Sequence, residues 1–256
     1  MLEIQSIQSL QDNYIWLIRQ GQLAIVVDPG EAAPVIERLH ALDLTLAAIL
    51  VTHYHSDHVG GISELIHLYP QCRIFAPDHA PDNFPVYEPV HDKQQIQIPG
   101  FSSEWTVWHT PGHTSEHVVY WNQDALFCGD TLFSAGCGRV FTGTYEELYH
   151  SLTRLATLED HTLIYPAHEY TLNNLRFCYS IEPHNPAIQQ RIREVSKLRQ
   201  QGCPTIPVSL ETEKTTNVFL RTGKPELQRQ MQQITGEHLT NETQMMTILR
   251  KKKDFF

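Results

Sequence analysis

Four potential metal ligands, His53, His55, Asp57 and His58, crowd into the run Thr52-His53-Tyr54-His55-Ser56-Asp57-His58-Val59-Gly60-Gly61. The run follows directly on LAAILVT, an apolar stretch that reads as a buried strand. Imidazole and carboxylate are the ligands that zinc and similar divalent cations prefer, and a loop leaving a rigid strand end can turn several of them inward together. The spacing does not put all of them on one helix face. They are also too crowded to bind one tetrahedral ion together, so they divide between two neighbouring ions. A solvated turn is the alternative in a chain with 15 histidines, but it accounts neither for the strand before the run nor for the Gly60-Gly61 exit after it.

Two ions need further ligands, and the candidates lie at strand ends downstream. His109 and His113 flank a Thr-Pro-Gly turn after WTVWH, Asp130 follows ALFCG, and His168 follows LIYPA. His109 and His113 compete for one role: the turn would point His113 back towards a site, whereas His109 still belongs to its strand. Each of these residues alone is a weak signal, and their force is joint. Asp28 ends a strand at Val-Val-Asp-Pro-Gly, where it reads either as an acceptor behind a metal-bound imidazole or as a turn former, and it is left out of the ligand set. Tyr14 reads as core or rim.

The surrounding pattern alternates strands and helices. YIWLIRQGQLAIVV is a hairpin about Gln20-Gly21-Gln22; Ala32 to Leu42 and Ile62 to Tyr69 have helical spacing; CRIFAP, Trp105 to His109, His117 to Trp121 and Ala125 to Cys128 are strands. A helix over Tyr145 to Leu158 opens with the capping box Thr144 and Glu147. Beyond residue 168 the texture turns helical: Asn173 to Ser180, then Pro186 to Gln200 with Asn185 as N-cap and Gly202 past its end, then Lys224 to Ile234 and Thr243 to Lys252. Two domains are expected, 1–168 and 169–256.

A chain of 256 residues with 41% hydrophobic content can bury a real core, and its five scattered cysteines form no C-x-x-C pair, as expected of reduced thiols. Nothing at the N-terminus reads as a signal peptide and no run approaches a membrane span, so a cytoplasmic protein is expected. The net charge of −10 argues against gripping nucleic acid, and a small-molecule substrate is the better expectation. Against that acidic background Arg250, Lys251, Lys252 and Lys253 stand together. They sit on a segment whose Met246, Ile248 and Leu249 are spaced to pack inward.

The motifs T-H-x-H-x-D-H, P-G-H-T, G-D-T and P-A-H together resemble the metallo-β-lactamase superfamily. A closer resemblance, to the hydroxyacylglutathione hydrolases (glyoxalase II), rests on Gly129-Asp130-Thr131-Leu132-Phe133, Ala135-Gly136-Cys137-Gly138-Arg139, His168 to Leu175 and Arg250 to Phe255. It implies an α/β fold, the αββα sandwich, as the catalytic domain over 1–168, with a C-terminal helical substrate-binding domain over 169–256. It further implies one metal on His53, His55 and His113, a second on Asp57, His58 and His168, and Asp130 bridging them. Arg139, Tyr170, Arg250 and Lys253 would contact glutathione. The cofactors implied are two divalent ions, zinc first, with iron or manganese also suited to the ligands. Phe141 stands where relatives can carry a tyrosine, and Val218 interrupts an otherwise family-like N-P-F-L-R as Asn217-Val218-Phe219-Leu220-Arg221.

The activity so implied is hydrolysis of S-D-lactoylglutathione and related 2-hydroxyacyl glutathiones, the second step of methylglyoxal detoxification, by a monomer. A metal-bound hydroxide would attack the thioester while Asp57, the catalytic residue, orients it. The leaving thiolate, with a conjugate acid of pKa roughly 8.5, needs no strong general acid. An iron-dependent sulfur dioxygenase or other oxidoreductase, or a nuclease of the same fold, is the rival reading. The apparently full second ligand set and the acidic charge weigh against both.

Overall fold

The computed structural model describes residues 2–236, 239 and 241–256. These form two compact units, Met1–His109 with Glu116–Gly129, and Thr110–Ser115 with Asp130–Phe256.

In the first unit β1 (Glu3–Ser9), β2 (Asn13–Gln20) and β3 (Leu23–Val27) form an antiparallel meander. Gly21 turns the β2–β3 hairpin at a φ of +61°, a conformation open to glycine. From β3 the sheet continues in parallel through β4 (Thr45–Leu50), β5 (Arg73–Pro77) and β6 (Glu88–Val90). Parallel neighbours need crossovers, which α1 (Ala33–Ala41) supplies between β3 and β4, and α2 (Ser56–Val59) with α3 (Ile62–Leu68) between β4 and β5. Val35 and Leu39 of α1 and Ile62 and Leu65 of α3 bury their helical stripes in a core with Ile15, Leu17, Val26 and Ile49. Each fully buried side chain of this size contributes roughly 1.5–3 kcal/mol.

A second, antiparallel set in this unit runs β7 (Gln95–Gln97), β8 (Glu104–His109), β9 (Val118–Trp121) and β10 (Ala125–Gly129). The two sheets are tied where the site begins. Tyr120 of β9 donates its buried hydroxyl to Val51 O and Phe75 O at 2.9 and 3.0 Å, and Val118 N donates to Thr52 O at 2.9 Å. The chain leaving β4 is therefore fixed before its first histidine.

The second unit holds the short hairpin β11 (Leu132–Phe133) and β12 (Gly136–Cys137), α4 (Tyr145–Leu155), and β13 (Leu163–Pro166). It continues with α5 (Thr171–Ile181), α6 (Pro186–Gln200), β14 (Val208–Ser209), which pairs antiparallel with β13, and α7 (Leu210–Thr216). The last two helices are α8 (Pro225–Thr235) and α9 (Glu242–Asp254). The capping box is present, with Thr144 and Glu147 each bonding the other's backbone N–H, but α4 stops short of Leu158. Asn185 caps α6 by accepting from Ala187 N and Ile188 N. On α9 the inward residues are Met245, Met246 and Leu249; Ile248, expected among them, is only half-buried because the stripe follows positions three and four apart. Among the described residues no helix is long and apolar enough to cross a membrane.

Candidate metal centre

Four of the expected donors lie in the first unit. His53 and His55 lie on the loop after β4, whereas Asp57 and His58 fall on the single turn α2, a helical departure from the expected loop. His53 Nε2 and His55 Nδ1 stand 3.0 Å apart, His53 and His58 pack with ring centroids 4.1 Å apart, and His58 Nε2 is 3.5 Å from Asp57 Oδ2. His53 and His58 are completely buried.

Asp28 organises these rings. Its Oδ1 accepts from Thr52 N at 2.8 Å, and its Oδ2 accepts from Thr52 Oγ1 at 2.7 Å and faces His58 Nδ1 at 3.0 Å. A carboxylate is an acceptor only, so the His58 proton sits on Nδ1 and Nε2 presents a lone pair. The Thr52 hydroxyl spends its one proton on Asp28, so the 3.0 Å contact to His53 Nδ1 requires that His53 donate there as well. One carboxylate thus sets the tautomers of two of the expected ligands. This is the supporting reading of Asp28, not the plain turn. Asn13, which sequence reasoning passed over, donates Nδ2 to Asp57 Oδ2 at 3.0 Å and fixes that carboxylate; Tyr14 beside it is buried.

The other three expected donors, His113, Asp130 and His168, lie in the second unit. Asp130 follows β10 directly, His113 lies on the turn after the Thr-Pro-Gly step, and His168 follows β13. His113 Nε2 is 3.4 Å from Asp130 Oδ2, and His168 Nε2 is 3.4 Å from Asp130 Oδ1. His113 Nδ1 donates to Arg139 O at 2.7 Å, so its proton sits on Nδ1 and Nε2 is the lone-pair nitrogen. Gly138 is obligatory here, since a Cβ would stand 2.0 Å from Asp130 O and 2.8 Å from His113 Nδ1. His109, by contrast, ends β8 in an exposed position, its backbone N–H bonded to Asp92 Oδ1 at 2.9 Å.

These spacings meet the test of chemical fit to a cation. Two ligands about 2.0–2.1 Å from one zinc ion at a tetrahedral angle stand roughly 3.4 Å apart. The Nε2-to-carboxylate separations of 3.4 to 3.5 Å match that figure and are longer than a good N–H···O bond.

The residues expected to contact glutathione all belong to the second unit. Tyr170 is partly exposed and its ring stacks on His168 at 4.7 Å between centroids, 3° from parallel. Arg139 is exposed, with Nε bonded to Asp254 Oδ1 at 3.1 Å. Arg250 is 5% exposed, donating to Cys137 O at 2.7 Å and to Asp254 at 3.2 Å, so much of its hydrogen-bonding capacity is internal. Lys253 reaches Asn173 O at 3.5 Å over the Phe177 ring. Burial, and then the neighbouring Arg250, pushes the Lys253 ammonium down to about 8. Phe141 is exposed and lies edge-on to His113 at 5.3 Å. Val218 leaves its loop intact: it is buried in a 3-10 turn, Val218–Leu220, capped by the Asn217 side chain.

The metallo-β-lactamase superfamily model matches residues 10–168. The crystal structure of the B3 metallo-β-lactamase BLEG-1 has the same fold, with a TM-score of 0.64 at 20% identity, covering 85% of this chain and 99% of that one. Fold and ligand motif define a metallo-β-lactamase-fold chain, the αββα sandwich class. The model described as "Hydroxyacylglutathione hydrolase C-terminus" matches residues 169–256. Relatives named hydroxyacylglutathione hydrolase include one from Tolumonas auensis, 56% identical over 99% of both chains, and one from Aeromonas hydrophila, 50% identical over 100% of both. This chain belongs to the hydroxyacylglutathione hydrolase family.

Proposed function

We propose that this chain hydrolyses 2-hydroxyacyl thioesters of glutathione, S-D-lactoylglutathione above all, to glutathione and the 2-hydroxy acid. The observation that carries the reading is the donor set, whose buried imidazoles His53, His58 and His113 each have Nδ1 held by a neighbour in the tautomer that makes Nε2 the lone-pair nitrogen. As the family resemblance implies, His53, His55 and His113 would hold one divalent ion and Asp57, His58 and His168 a second, with Asp130 shared between them. That role is supported by His113 and His168 each standing 3.4 Å from a different oxygen of the Asp130 carboxylate. Zinc suits the ligands best. When bound, such ions supply a water that ionises near neutral pH and positive charge for the oxyanion of the thioester.

The chain's own residues do the rest. Asp57, steadied by Asn13, orients the attacking water. Arg139, Tyr170, Arg250 and Lys253 bind the glutathione moiety, whose carboxylates lie far from the reacting carbonyl and suit cationic partners. Water adds to the carbonyl carbon and gives up its protons to solvent, the carbon–sulfur bond breaks, and glutathione leaves as its thiolate, which takes up one proton, while the 2-hydroxy acid departs as its carboxylate with net release of the other. Residues 1–168 form the catalytic domain and 169–256 the substrate-binding domain, a division supported by the spans of the two family models. The enzyme would work in the cytoplasm as a monomer, in the second step of methylglyoxal breakdown.

The test is an assay of the purified protein on S-D-lactoylglutathione with metal content measured alongside. Thioester hydrolysis with two metal equivalents is expected. Oxidation of a glutathione persulfide or cleavage of a nucleic acid in its place would assign one of the rival activities.

A further inference from the structure

The β11–β12 hairpin has two residues in each strand, too few to hold its own shape, and its turn residue Ala135 takes a φ of +56°, unfavourable for a residue with a Cβ. Side chains of the C-terminal helices clamp it. Glu213 of α7 accepts from Ser134 Oγ at 3.0 Å and from Ala135 N at 2.7 Å. Asn217 donates to Gly136 O at 2.9 Å and to the same Glu213 carboxylate at 3.0 Å, and Asn174 of α5 donates to Ser134 O at 3.1 Å.

Glu213 has 0% of its surface exposed. Burial pushes its carboxyl up to about 7 against the pull of three hydrogen bonds. A buried carboxylate is weak support for stability, since apolar residues of similar volume often serve a core as well or better. Its geometry gives it another use. Asp130 lies two residues before β11 and Arg139 two residues after β12. The intervening Gly138 is wedged against Asp130 O and His113 Nδ1, and Arg139 O accepts from His113. A shift of the hairpin moves all three together.

We propose that Glu213 is a positioning residue of the metal centre: by clamping the β11–β12 hairpin it sets the bridging carboxylate of Asp130 and the carbonyl that orients His113. The proposal rests on the metal-hydrolase reading of the site. Glu213→Asp keeps the charge but withdraws the oxygens by one methylene, and Ser134→Ala removes one donor. Glu213→Gln keeps the shape, because its oxygen can accept from Ala135 and Asn217 while its amide donates to the Ser134 hydroxyl. Val195→Ala, a buried truncation on α6 outside the clamp, controls for lost stability.

Zinc affinity of each full-length protein is measured by chelator competition, with Tm, kcat and KM for S-D-lactoylglutathione. Glu213→Asp should weaken zinc binding by about tenfold or more and lower kcat, Ser134→Ala should do so less, and Glu213→Gln should restore both. Val195→Ala should lose Tm and keep zinc. Native zinc affinity and turnover in both Glu213→Asp and Ser134→Ala would overturn the proposal, as would zinc loss in Val195→Ala in step with its Tm. A native protein that binds zinc tightly yet leaves the thioester intact refutes the substrate reading alone, and the zinc measurements still decide for or against Glu213.

Discussion

Replacing Asp28 by asparagine exchanges a carboxylate for an amide of the same shape, and the hydrogen-bond network dictates how the neighbouring rings respond. Asp28 has a φ of +51°, a conformation that asparagine tolerates, so the backbone is kept. The Thr52 N–H cannot reorient, so the amide oxygen must take the Oδ1 position and the NH2 group the Oδ2 position. That group then points two donors at Thr52 Oγ1 and His58 Nδ1. His58 must turn a lone pair to it and carry its proton on Nε2, the nitrogen a metal needs. The Thr52 hydroxyl, now an acceptor from the amide, is free to donate to His53 Nδ1 at 3.0 Å and drives the same tautomer change there. Loss of the partner behind one metal-bound imidazole costs about 10–100-fold in affinity, or about 1.4–2.7 kcal/mol, so two such rings together cost about 3–5 kcal/mol. Stability without metal should change by only about 1 kcal/mol, because the amide keeps the Thr52 bonds. Chelator competition gives the affinities, and melting in excess chelator gives the metal-free stability. An Asp28→Asn protein that holds both ions with native affinity would refute the tautomer argument.

His113→Ala should lose one metal equivalent and Asp130→Ala both metal and activity, while His109→Ala keeps its full complement by elemental analysis; loss of metal in the last would mean that the wrong histidine has been assigned. Arg250→Ala with Lys253→Ala should raise KM for glutathione thioesters about tenfold or more with little loss of metal, and should also lower Tm, since Arg250 is buried against Cys137 O and Asp254. A short thioester without the glutathione carboxylates should be hydrolysed poorly and alike by both proteins, and an unchanged KM for the glutathione substrate would make this helix structural. Glu213 has a folded-state pKa of about 7 against an ordinary 4.5, so its stabilising contribution is full below the ordinary value and is lost as pH rises through 7. From about pH 5.5 to about pH 8 the native protein should therefore lose about 2 kcal/mol relative to Glu213→Gln in urea titrations, and parallel pH profiles would show that Glu213 does not titrate there.

The elements most legible in the sequence are those whose signal is local. The helix Pro186–Gln200 carries its own cap, N1 proline and stop, and both of its ends fall where those residues place them. The strands with continuous apolar runs, β2 to β5 and β8 to β10, are likewise readable. Short elements such as β11, β12 and β14 are not, because two residues hold no periodicity and their conformation is imposed from outside. The hairpin of β11 and β12 depends on Glu213, more than 70 positions along the chain. On α9, the composition of Arg250 to Lys253 suggests a solvated basic run, yet Arg250 is buried and Lys253 half-buried. Burial of an arginine head cannot be read from its neighbours in sequence; it depends on the Cys137 carbonyl and the Phe219 ring that receive it.

The candidate ligands and the residues behind them were legible to different degrees for a related reason. A metal site can take several ligands from one loop, so His53 to His58 announce themselves by crowding. A residue that fixes a ligand's tautomer must approach from the far side of the ring, and another element has to bring it there. Asp28 lies 24 positions before Thr52 and 30 before His58. The parallel pairing of β3 with β4 sets Val27 opposite Leu50, so the residue after β3 must fall beside those that come after β4. Once those two strands are accepted as parallel neighbours joined by α1, an acceptor at the end of β3 can reach the first ligands of the loop, and a turn-forming role alone would leave the Nδ1 proton of buried His58 without its carboxylate. The turn geometry and the supporting role are then one choice: an aspartate tolerates the left-handed backbone and also supplies the oxygens, which neither glycine nor alanine could do.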